Sequence, residues 1–451
     1  MDAPRGFRLP RLCLPRQGID LAKWAVIACD QYTSEPQYWQ RVAQVVGEAP
    51  STLHLVFPEV HLEAADAPAR IARIQGAMRR YLADGLFVER AGAVLVERRV
   101  GGRARRGLML ELDLEHYDFS EASTSLIRPT EGTIVARLAP RIEVRRGAEL
   151  ELPHILVLID DPGQTVIEPI AAAQAADALE PLYETELMLD GGHVRGFAVD
   201  AARGAGAAAA LAALARPEVM ARRYGVAEGT PPMLFAVGDG NHSLATAKSI
   251  WEQVKATVGP DHPSRFALVE VENIHDPALH FAPIHRLLFG VRVDLRAALA
   301  QAFGARFTAH EVASAEAMWA QVQAMQAGAP AAGHGAQATP TTQAVGLVEP
   351  GGRYAVIRIA DPPAALAVGT LQPFIDRLVA EGGATAVDYV HGDETLMRLA
   401  QQPGCAGLHL GTVAKGELLK RVMHEGPLPR KTFSMGEAHE KRYYVEARKI
   451  R

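Results

Sequence analysis

A strand-to-helix junction in the middle of the chain reads Val237-Gly238-Asp239-Gly240-Asn241-His242-Ser243. The apolar run at 234–237 predicts a buried strand, and the apolar stripe within 243–254 predicts an amphipathic helix. Two glycines allow a tight turn and a close approach of the backbone to a ligand. Free N–H groups and the positive dipole end at the start of the helix favour a phosphate group. The junction therefore predicts either a phosphate site or, equally, a tight turn in which Asn241 or Ser243 caps the helix.

The segments around this junction alternate between strand and helix patterns. Short apolar runs predict strands at 24–28, 93–100, 108–114, 155–159 and 354–359. Apolar residues at helical spacing predict helices at 36–46, 69–81, 204–215 and 371–381. Residues 327–342 are mostly Gly, Pro, Ala and Thr, which predicts a flexible loop. Strands interleaved with helices indicate a mixed α/β (α+β) fold.

The composition limits the kinds of partner and compartment. Hydrophobic residues make up 48% of the chain and charged residues 22%, a balance typical of a folded globular protein. The net charge of -5 argues against a nucleic-acid partner held by a general positive field. Three cysteines without a C-x-x-C pair fit a reducing compartment. The start of the chain lacks a signal-peptide pattern and no run of about 18 apolar residues occurs, so we expect a soluble, cytoplasmic protein with no membrane partner.

Two further segments carry side chains that suit a small anionic ligand. Residues 127–131 read Ile127-Arg128-Pro129-Thr130-Glu131, which by itself predicts a loop that carries a carboxylate. Residues 429–432 read Pro429-Arg430-Lys431-Thr432. Two cations beside a hydroxyl suit an oxyanion, although a solvated basic turn is the simpler explanation of this segment.

Several common catalytic and binding motifs are absent from the sequence. No G-x-x-x-x-G-K-[ST] occurs, which excludes a P-loop, and neither G-x-S-x-G nor H-E-x-x-H is present. His275, His280 and His285 recur at intervals of five, a spacing that faces no common side of a helix. We therefore predict no metal site from ligand spacing.

The order of the polar segments resembles a known protein family. The segments are 28–36, 127–131, Asp239-Gly240-Asn241-His242, Pro283-Ile284-His285-Arg286 and 429–432. In this order they resemble the family numbered 1015 among the domains of unknown function, over essentially the whole chain. That family is in turn similar to the free-serine kinases of the ParB/sulfiredoxin-like superfamily. Those kinases carry K-P-H-E, D-G-H-H-R and a late P-K-T-T in the same order.

The resemblance implies a role for each matching position. Glu131 would be the catalytic base, because a serine hydroxyl is a poor nucleophile until a positioned carboxylate takes its proton. Asp239 and His242 would be the other catalytic residues. The phosphates of a nucleotide such as ADP or ATP, with Mg²⁺, would bind at Gly238, Gly240, Asn241 and Ser243. The substrate would be held by Arg128, Arg286, Arg430, Lys431 and Thr432.

Three positions depart from the kinase pattern. Thr130 and Asn241 stand where the pattern has His, and Ser243 stands where it has Arg. Loss of that Arg removes a bidentate fork for phosphate. The resemblance thus implies phosphoryl transfer at free serine or phosphoserine, either as a serine kinase or as a phosphoserine phosphatase that completes serine biosynthesis. Two alternatives stay open: a nucleotide-binding switch like the ParB-type CTPases, and a family member that binds a metabolite without turnover.

The expected architecture is a ParB/sulfiredoxin-like core with an α/β part on either side. We place an N-terminal part at 1–118, the catalytic core at 119–290 and a C-terminal part at 291–451, with the loop 327–342 and the late motif inside the last. We expect Lys431 to lie in the cleft that holds Glu131 and His242. The expected partner is serine or phosphoserine, and the oligomeric state is not predicted.

Overall fold

The computed structural model describes residues 6–327, 342–411 and 414–451. In these residues the chain forms two units. Unit 1 comprises Met1–His280, Leu419–Pro427 and Met435–Arg451, and unit 2 comprises Phe281–Leu418 and Leu428–Ser434. Most of the predicted loop at 327–342 lies outside the described residues.

Strands occur in both units. In chain order they are β1 Phe7–Arg8, β2 Arg11–Pro15, β3 Phe87–Ala91, β4 Val94–Val100, β5 Arg103–Asp113, β6 Ile127–Pro129, β7 Leu150–Glu151, β8 Leu156–Ile159, β9 Tyr183–Leu187, β10 Gly192–Ala198, β11 Phe235–Asp239, β12 Phe266–Asn273, β13 Phe281–Phe289, β14 Phe307–Val312, β15 Thr342–Glu349, β16 Arg353–Ala360, β17 Ala386–His391, β18 Ala406–His409, β19 Phe433–Met435 and β20 Arg448–Lys449.

Helices alternate with these strands along most of the chain. They are α1 Leu21–Trp24, α2 Pro36–Val46, α3 Ala67–Ala83, α4 Leu138–Arg146, α5 Glu168–Ala176, α6 Ala201–Leu214, α7 Pro217–Tyr224, α8 Asn241–Val258, α9 Leu295–Phe303, α10 Ala315–Ala327, α11 Ala367–Ala380, α12 Asp393–Ala400 and α13 Lys415–Glu425.

A nine-stranded mixed sheet organises unit 1. Its strands follow the order β6-β11-β8-β12-β5-β4-β10-β9, and β1 pairs with β5. Both faces of the sheet are buried, as β4 shows: Leu95 packs in one apolar cluster with Trp251 of α8, whereas Val94 and Val96 pack in another with Trp39 of α2. The sheet is therefore the rigid platform on which the ends of its strands position polar groups. The division predicted at residue 118 falls between two strands of this sheet, β5 and β6.

A second sheet organises unit 2, and the pairings along its six-strand path are antiparallel. Its strands follow the order β14-β16-β15-β18-β13-β17, and β19 pairs with β13. Helices α9 and α11 contribute Leu299, Phe374 and Ile375 to one apolar cluster, while α10 and α12 contribute Met318 and Leu396 to another. Each unit thus has its own hydrophobic core. The boundary predicted at residue 290 falls just after β13, the first strand of unit 2.

The mixed α/β class predicted from the sequence is confirmed, and most of the predicted elements are present. The strand predicted at 24–28 is wrong. The segment is buried as expected, but Trp24 is the last residue of α1 and Ile27 makes only an isolated bridge with Tyr443. Among the described residues, no helix is long and apolar enough to cross a membrane.

Candidate functional site

Three strands of the nine-stranded sheet bring separate segments to one end of that sheet. β6 and β11 are parallel neighbours, with Pro129 opposite Val237, so the residues that follow both strands emerge together. β8 runs antiparallel to β11, and the residues that precede β8 therefore lie at the same end. Glu131, the loop at Asp239 and residue His154 meet there. The predicted proximity of Glu131 and the Asp239 loop follows from this strand order.

The loop that carries Glu131 is tied to β11 and to α8. Thr130 is fully buried, and its N–H and Oγ1 both donate to the carbonyl oxygen of Val237, at 3.2 and 2.7 Å. The backbone N–H of Ile134 donates to Nε2 of His242 at 3.3 Å. Thr130 therefore fixes the loop against the neighbouring strand. Glu131 itself is partly buried.

The turn between β11 and α8 requires glycine for the fold. Gly240 has φ +79° and ψ 24°, and a Cβ there would lie 3.0 Å from the Cα of Ile155. Gly240 is also the N-cap residue, and no side chain caps the helix, so the predicted cap by Asn241 or Ser243 is wrong. The N–H groups of Ser243 and Leu244 both donate to the Gly240 carbonyl at 3.0 Å.

Asp239 forms an ion pair that local sequence patterns did not predict. Its Oδ2 lies 2.8 Å from Nζ of Lys441, and its Oδ1 accepts the N–H of Gly240 at 2.9 Å. Burial by itself would raise the pKa of this carboxyl group. The ammonium of Lys441 outweighs that effect and lowers the pKa below its ordinary value. Asp239 is therefore an ionised group at the mouth of the turn.

Two buried polar atoms at this end of the sheet have no hydrogen-bond partner in the described parts of the chain. They are Oδ1 of Asn241, the first residue of α8, and Oγ1 of Thr133, in the loop after Glu131. Buried polar atoms in folded proteins are almost always paired. A ligand or an ordered water molecule that contacts both segments would satisfy them.

His154 links the first turn of α8 to the C-terminal segment. Its Nε2 lies 2.8 Å from Oγ of Ser243, and its Nδ1 lies 2.8 Å from the hydroxyl of Tyr444. That hydroxyl also accepts the backbone N–H of Cys29 at 3.0 Å. Sequence reasoning missed His154, Tyr444 and Lys441, because their contacts join segments that are distant in sequence.

A cavity of about 140 Å³ opens beside these side chains. Its apolar wall is formed by Leu55, Phe57, Met78, Leu150, Ile155 and Leu268. Its polar wall includes Ser243 and His154, together with Glu59 and Arg141. Arg141 donates from Nε to Glu59 at 2.7 Å and from a second guanidinium nitrogen to the other carboxylate oxygen. The cavity therefore offers an apolar compartment with a polar mouth at the start of α8.

Arg128 lies in unit 1 with its guanidinium directed at the protein. It is 5% exposed, and it donates to the carbonyl oxygens of Ser125 at 2.8 Å and Pro231 at 3.0 Å. Burial lowers its pKa. These contacts direct the guanidinium of Arg128 toward the segments that precede β6 and β11, and its predicted contact with substrate stays a prediction.

The late motif belongs to unit 2, where buried Arg286 organises it. The guanidinium of Arg286 donates to the carbonyl oxygens of Lys431 at 2.7 Å and Arg430 at 3.3 Å, and its Nε donates to Gln372 at 2.9 Å. The Thr432 hydroxyl donates to the carbonyl of Pro429. The side chains of Arg430 and Lys431 are exposed. Arg286 thus holds the turn that presents both cations, and the predicted site shared with Glu131 stays a prediction.

A second cluster in unit 2 joins two histidines and a carboxylate. The stacked rings of His285 and His409 have centroids 4.4 Å apart, and Nε2 of each lies 2.9 Å from Oδ1 of Asp393. The backbone N–H of Leu410 donates to Nδ1 of His285 at 3.1 Å. Because a neutral imidazole carries one proton, Nε2 of His285 must hold it and cannot also bind a metal ion. The cluster in this geometry is therefore hydrogen-bonded and unsuited to a metal.

Comparison with known proteins places the chain in a family. Residues 13–378 match the family described as "Protein of unknown function (DUF1015)", and the chain belongs to that family. The resemblance predicted from the ordered polar segments is thereby confirmed. No protein among the curated sequences matches the chain.

Three solved structures are distantly similar to the chain. A free serine kinase in complex with AMP has 11% identity and a TM-score of 0.37, covering 76% of this chain and 92% of the kinase. A conserved hypothetical protein from Pyrococcus furiosus has 11% identity and a TM-score of 0.33, covering 75% and 90%. SbnI from Staphylococcus aureus, truncated at its C-terminus, has 13% identity and a TM-score of 0.29, covering 72% and 84%.

Proposed function

We propose that this protein is a phosphotransferase or phosphatase that transfers a phosphoryl group at free serine or phosphoserine. The observation that carries the proposal is the meeting of Glu131 and the first turn of α8 at one end of the sheet. Phosphoryl transfer needs a base for the attacking hydroxyl and donors for the phosphate oxygens. Glu131 supplies the base, and the start of α8 supplies the donors.

The polar groups around the turn support an anionic ligand. The positive end of the helix dipole at the start of α8 attracts a phosphate. The buried Oδ1 of Asn241, which has no partner among the described residues, accepts a hydrogen bond from a hydroxyl or ammonium group of a ligand. A ligand with a phosphate and an amino group, such as phosphoserine, provides both kinds of contact.

The cavity beside Ser243 supports a second ligand with an apolar part. A cavity of roughly 150 Å³ with an apolar lining is large enough for a molecule of the size of benzene, and this one measures about 140 Å³. A nucleotide such as ADP or ATP would place its phosphates at α8 and part of its base in this cavity. The nucleotide is therefore the proposed donor or acceptor of the phosphoryl group.

Mg²⁺ is a regular partner of phosphoryl transfer, but Asp239 fits it poorly. Both carboxylate oxygens of Asp239 are already engaged, one with Lys441 and one with the Gly240 N–H. A magnesium ion commonly takes one or two carboxylates together with substrate phosphates. We therefore assign Asp239 to orienting the turn and Lys441, and we assign it no role as a metal ligand.

Turnover in both directions tests the proposal. Purified protein is incubated with phosphoserine and Mg²⁺, with and without ADP or AMP, and separately with serine and ATP, while serine and phosphoserine are followed by chromatography. We expect conversion in at least one mixture and its loss in Glu131→Gln. No conversion in any mixture would contradict the enzyme proposal and would favour a family member that binds a metabolite without turnover.

A further inference from the structure

We infer that Tyr444, His154 and Ser243 form a hydrogen-bond chain of fixed direction, which presents the Ser243 hydroxyl proton to a phosphate oxygen of the ligand. His154 and Tyr444 are then positioning residues, and Ser243 is a phosphate-binding donor. The inference rests on the proposed function, because it supposes a phosphate at the start of α8. It assigns a role to two residues that no motif of the sequence indicated.

Tyr444 sets the direction of the chain. It is 1% exposed, and its oxygen accepts the backbone N–H of Cys29 at 3.0 Å. Burial raises the pKa of the phenol well above its ordinary value, so the hydroxyl keeps its proton. The Cys29 thiol also faces the phenol, but a thiol is a weak acceptor. Nδ1 of His154, at 2.8 Å, is the stronger acceptor and takes this hydrogen bond.

The tautomer of His154 fixes the direction of its hydrogen bond with Ser243. Because Nδ1 of the neutral ring accepts from Tyr444, Nε2 carries the ring proton. Nε2 lies 2.8 Å from Oγ of Ser243, so the imidazole donates and the serine oxygen accepts. Asp30 lies farther from the same nitrogen, at 4.0 Å, and does not replace Ser243 as the acceptor.

Ser243 differs from the other hydroxyl residues of α8. Thr246 and Ser249 donate their hydroxyl protons to the carbonyls of His242 and Ala245, one turn earlier, at 2.7 and 2.8 Å. Ser243 lies in the first turn, and its hydroxyl is hydrogen-bonded to His154 instead of to a backbone carbonyl. Since its oxygen accepts from the imidazole, its own proton is directed elsewhere, toward the mouth of the turn. It provides a neutral donor at the position where the kinase pattern has a charged Arg.

The direction of the chain opposes a rival role for the same residues. A serine beside a histidine can act as a nucleophile when the imidazole takes its proton. Here Nε2 already carries a proton, so His154 does not activate Ser243. The inference therefore predicts that no phosphate becomes covalently attached to Ser243 during turnover.

Calorimetric titration of the full chain with phosphoserine tests the inference. We expect Ser243→Ala and His154→Leu each to weaken binding about tenfold, and the double variant to be no weaker than either single one, because both remove the same donor. His154→Gln, whose amide N–H replaces Nε2–H, should bind within about twofold of the wild type. Tyr444→Phe is a second way to interrupt the chain. Ser249→Ala is the matched control, because the Ser249 hydroxyl lies on the same helix but does not belong to the hydrogen-bond chain.

The outcomes separate the inference from the proposed function. One contradicting outcome is that the wild type and the Ser243 and His154 variants bind phosphoserine equally well. Another is that the losses of affinity add in the double variant. Either outcome contradicts the hydrogen-bond chain, and the proposed function stands. A phosphorylated Ser243, detected by mass spectrometry after turnover, would also contradict it. If the wild type binds neither phosphoserine nor inorganic phosphate, both proposals fail.

Discussion

The ammonium of Lys441 lies 2.8 Å from the carboxylate of Asp239, joining the C-terminal segment to the strand-to-helix turn. Both groups are largely shielded from water, with side-chain exposures of 9% and 25%. An ion left without its partner in such surroundings keeps the cost of desolvation and loses the attraction. The pair therefore contributes to the stability of the turn as well as to its charge.

Lys441→Met should destabilise the protein at pH 7 by more than about 1.5 kcal/mol, the low end for a hydrogen bond to a charged group. Because the native pKa of Asp239 is lowered, the wild type holds this stabilisation above the unfolded pKa of the carboxyl group and loses it as the pH falls through the native pKa. The difference between variant and wild type should therefore shrink on acidification. Denaturant unfolding at several pH values measures it.

The control for this prediction is Lys449→Met. Lys449 pairs with Glu89 at 2.5 Å, but both side chains are more than 40% exposed, and exposed ion pairs contribute about 0–1 kcal/mol. An equal loss in both variants would show that the shielded position of Lys441 has no special importance.

Glu131→Gln should lower turnover roughly 10²–10⁴-fold, the range for a lost general base. Its affinity for phosphoserine should stay close to that of the wild type, because the amide keeps the shape of the carboxylate. Steady-state kinetics and calorimetry measure the two effects separately. Glu143→Gln, an exposed change on α4, is the control. Normal turnover in Glu131→Gln would remove this residue from the mechanism.

Lys431→Ala should weaken the binding of phosphoserine by more than about 1.5 kcal/mol, the low end for hydrogen bonds to charged groups. Binding of serine should change less, because serine lacks the phosphate dianion. Calorimetric titration with both ligands makes the comparison. Arg306→Ala, which removes another exposed cation of unit 2, should leave both affinities unchanged. Equal affinities in Lys431→Ala and wild type would separate the late motif from the site.

The cluster of His285, Asp393 and His409 should make unit 2 sensitive to acid. Burial lowers the pKa of His285, an effect that the bond to Asp393 only partly offsets. Below pH 6.5, the ordinary pKa of histidine, the unfolded state therefore binds a proton that the native state does not bind. Stability decreases as the pH is lowered. Hydrogen bonds from the two histidines hold the pKa of Asp393 well below its usual range. The stability that Asp393 contributes is therefore lost only at more acidic pH, below the pKa of its carboxyl group in the unfolded state.

Thermal unfolding between pH 5 and about pH 8, followed by tryptophan fluorescence, to which unit 2 contributes Trp319, measures this effect. Trp319 is a suitable reporter because its ring centroid lies 6.0 Å from that of His409. His285→Gln keeps an N–H donor for Asp393 and does not titrate, so its unfolding temperature should vary less over the acidic part of this range. Parallel profiles for variant and wild type would show that His285 does not cause the acid sensitivity.

Local periodicity predicted the helices and strands whose signals lie within their own sequence. Helix α2 begins at Pro36 and ends at Val46 as predicted, because Pro at the first position and Gly47 after the last one mark its ends. The strand predicted at 24–28 is wrong because the apolar residues of this segment are buried by contacts distant in sequence, including the bridge from Ile27 to Tyr443. An apolar run shows burial but does not identify the structure that buries it.

The same limit explains which site residues were predicted. The turn at Gly240 and the loop at Glu131 have local signatures, and their proximity follows once β6 and β11 are known to be parallel neighbours. His154 and Lys441 reach the site only through pairing of distant segments, so no spacing rule indicates them. Ser243 was identified from its position, but its partner His154 was not.

The most direct test of phosphoryl transfer at this site is a ³¹P NMR time course of phosphoserine with the protein and Mg²⁺, with and without ADP. The account predicts that the phosphoserine signal declines while inorganic phosphate or the terminal phosphate of ATP appears, and that Glu131→Gln leaves the phosphoserine signal intact. An unchanged phosphoserine signal with the wild-type protein, together with no phosphoserine formed from serine and ATP, would contradict it.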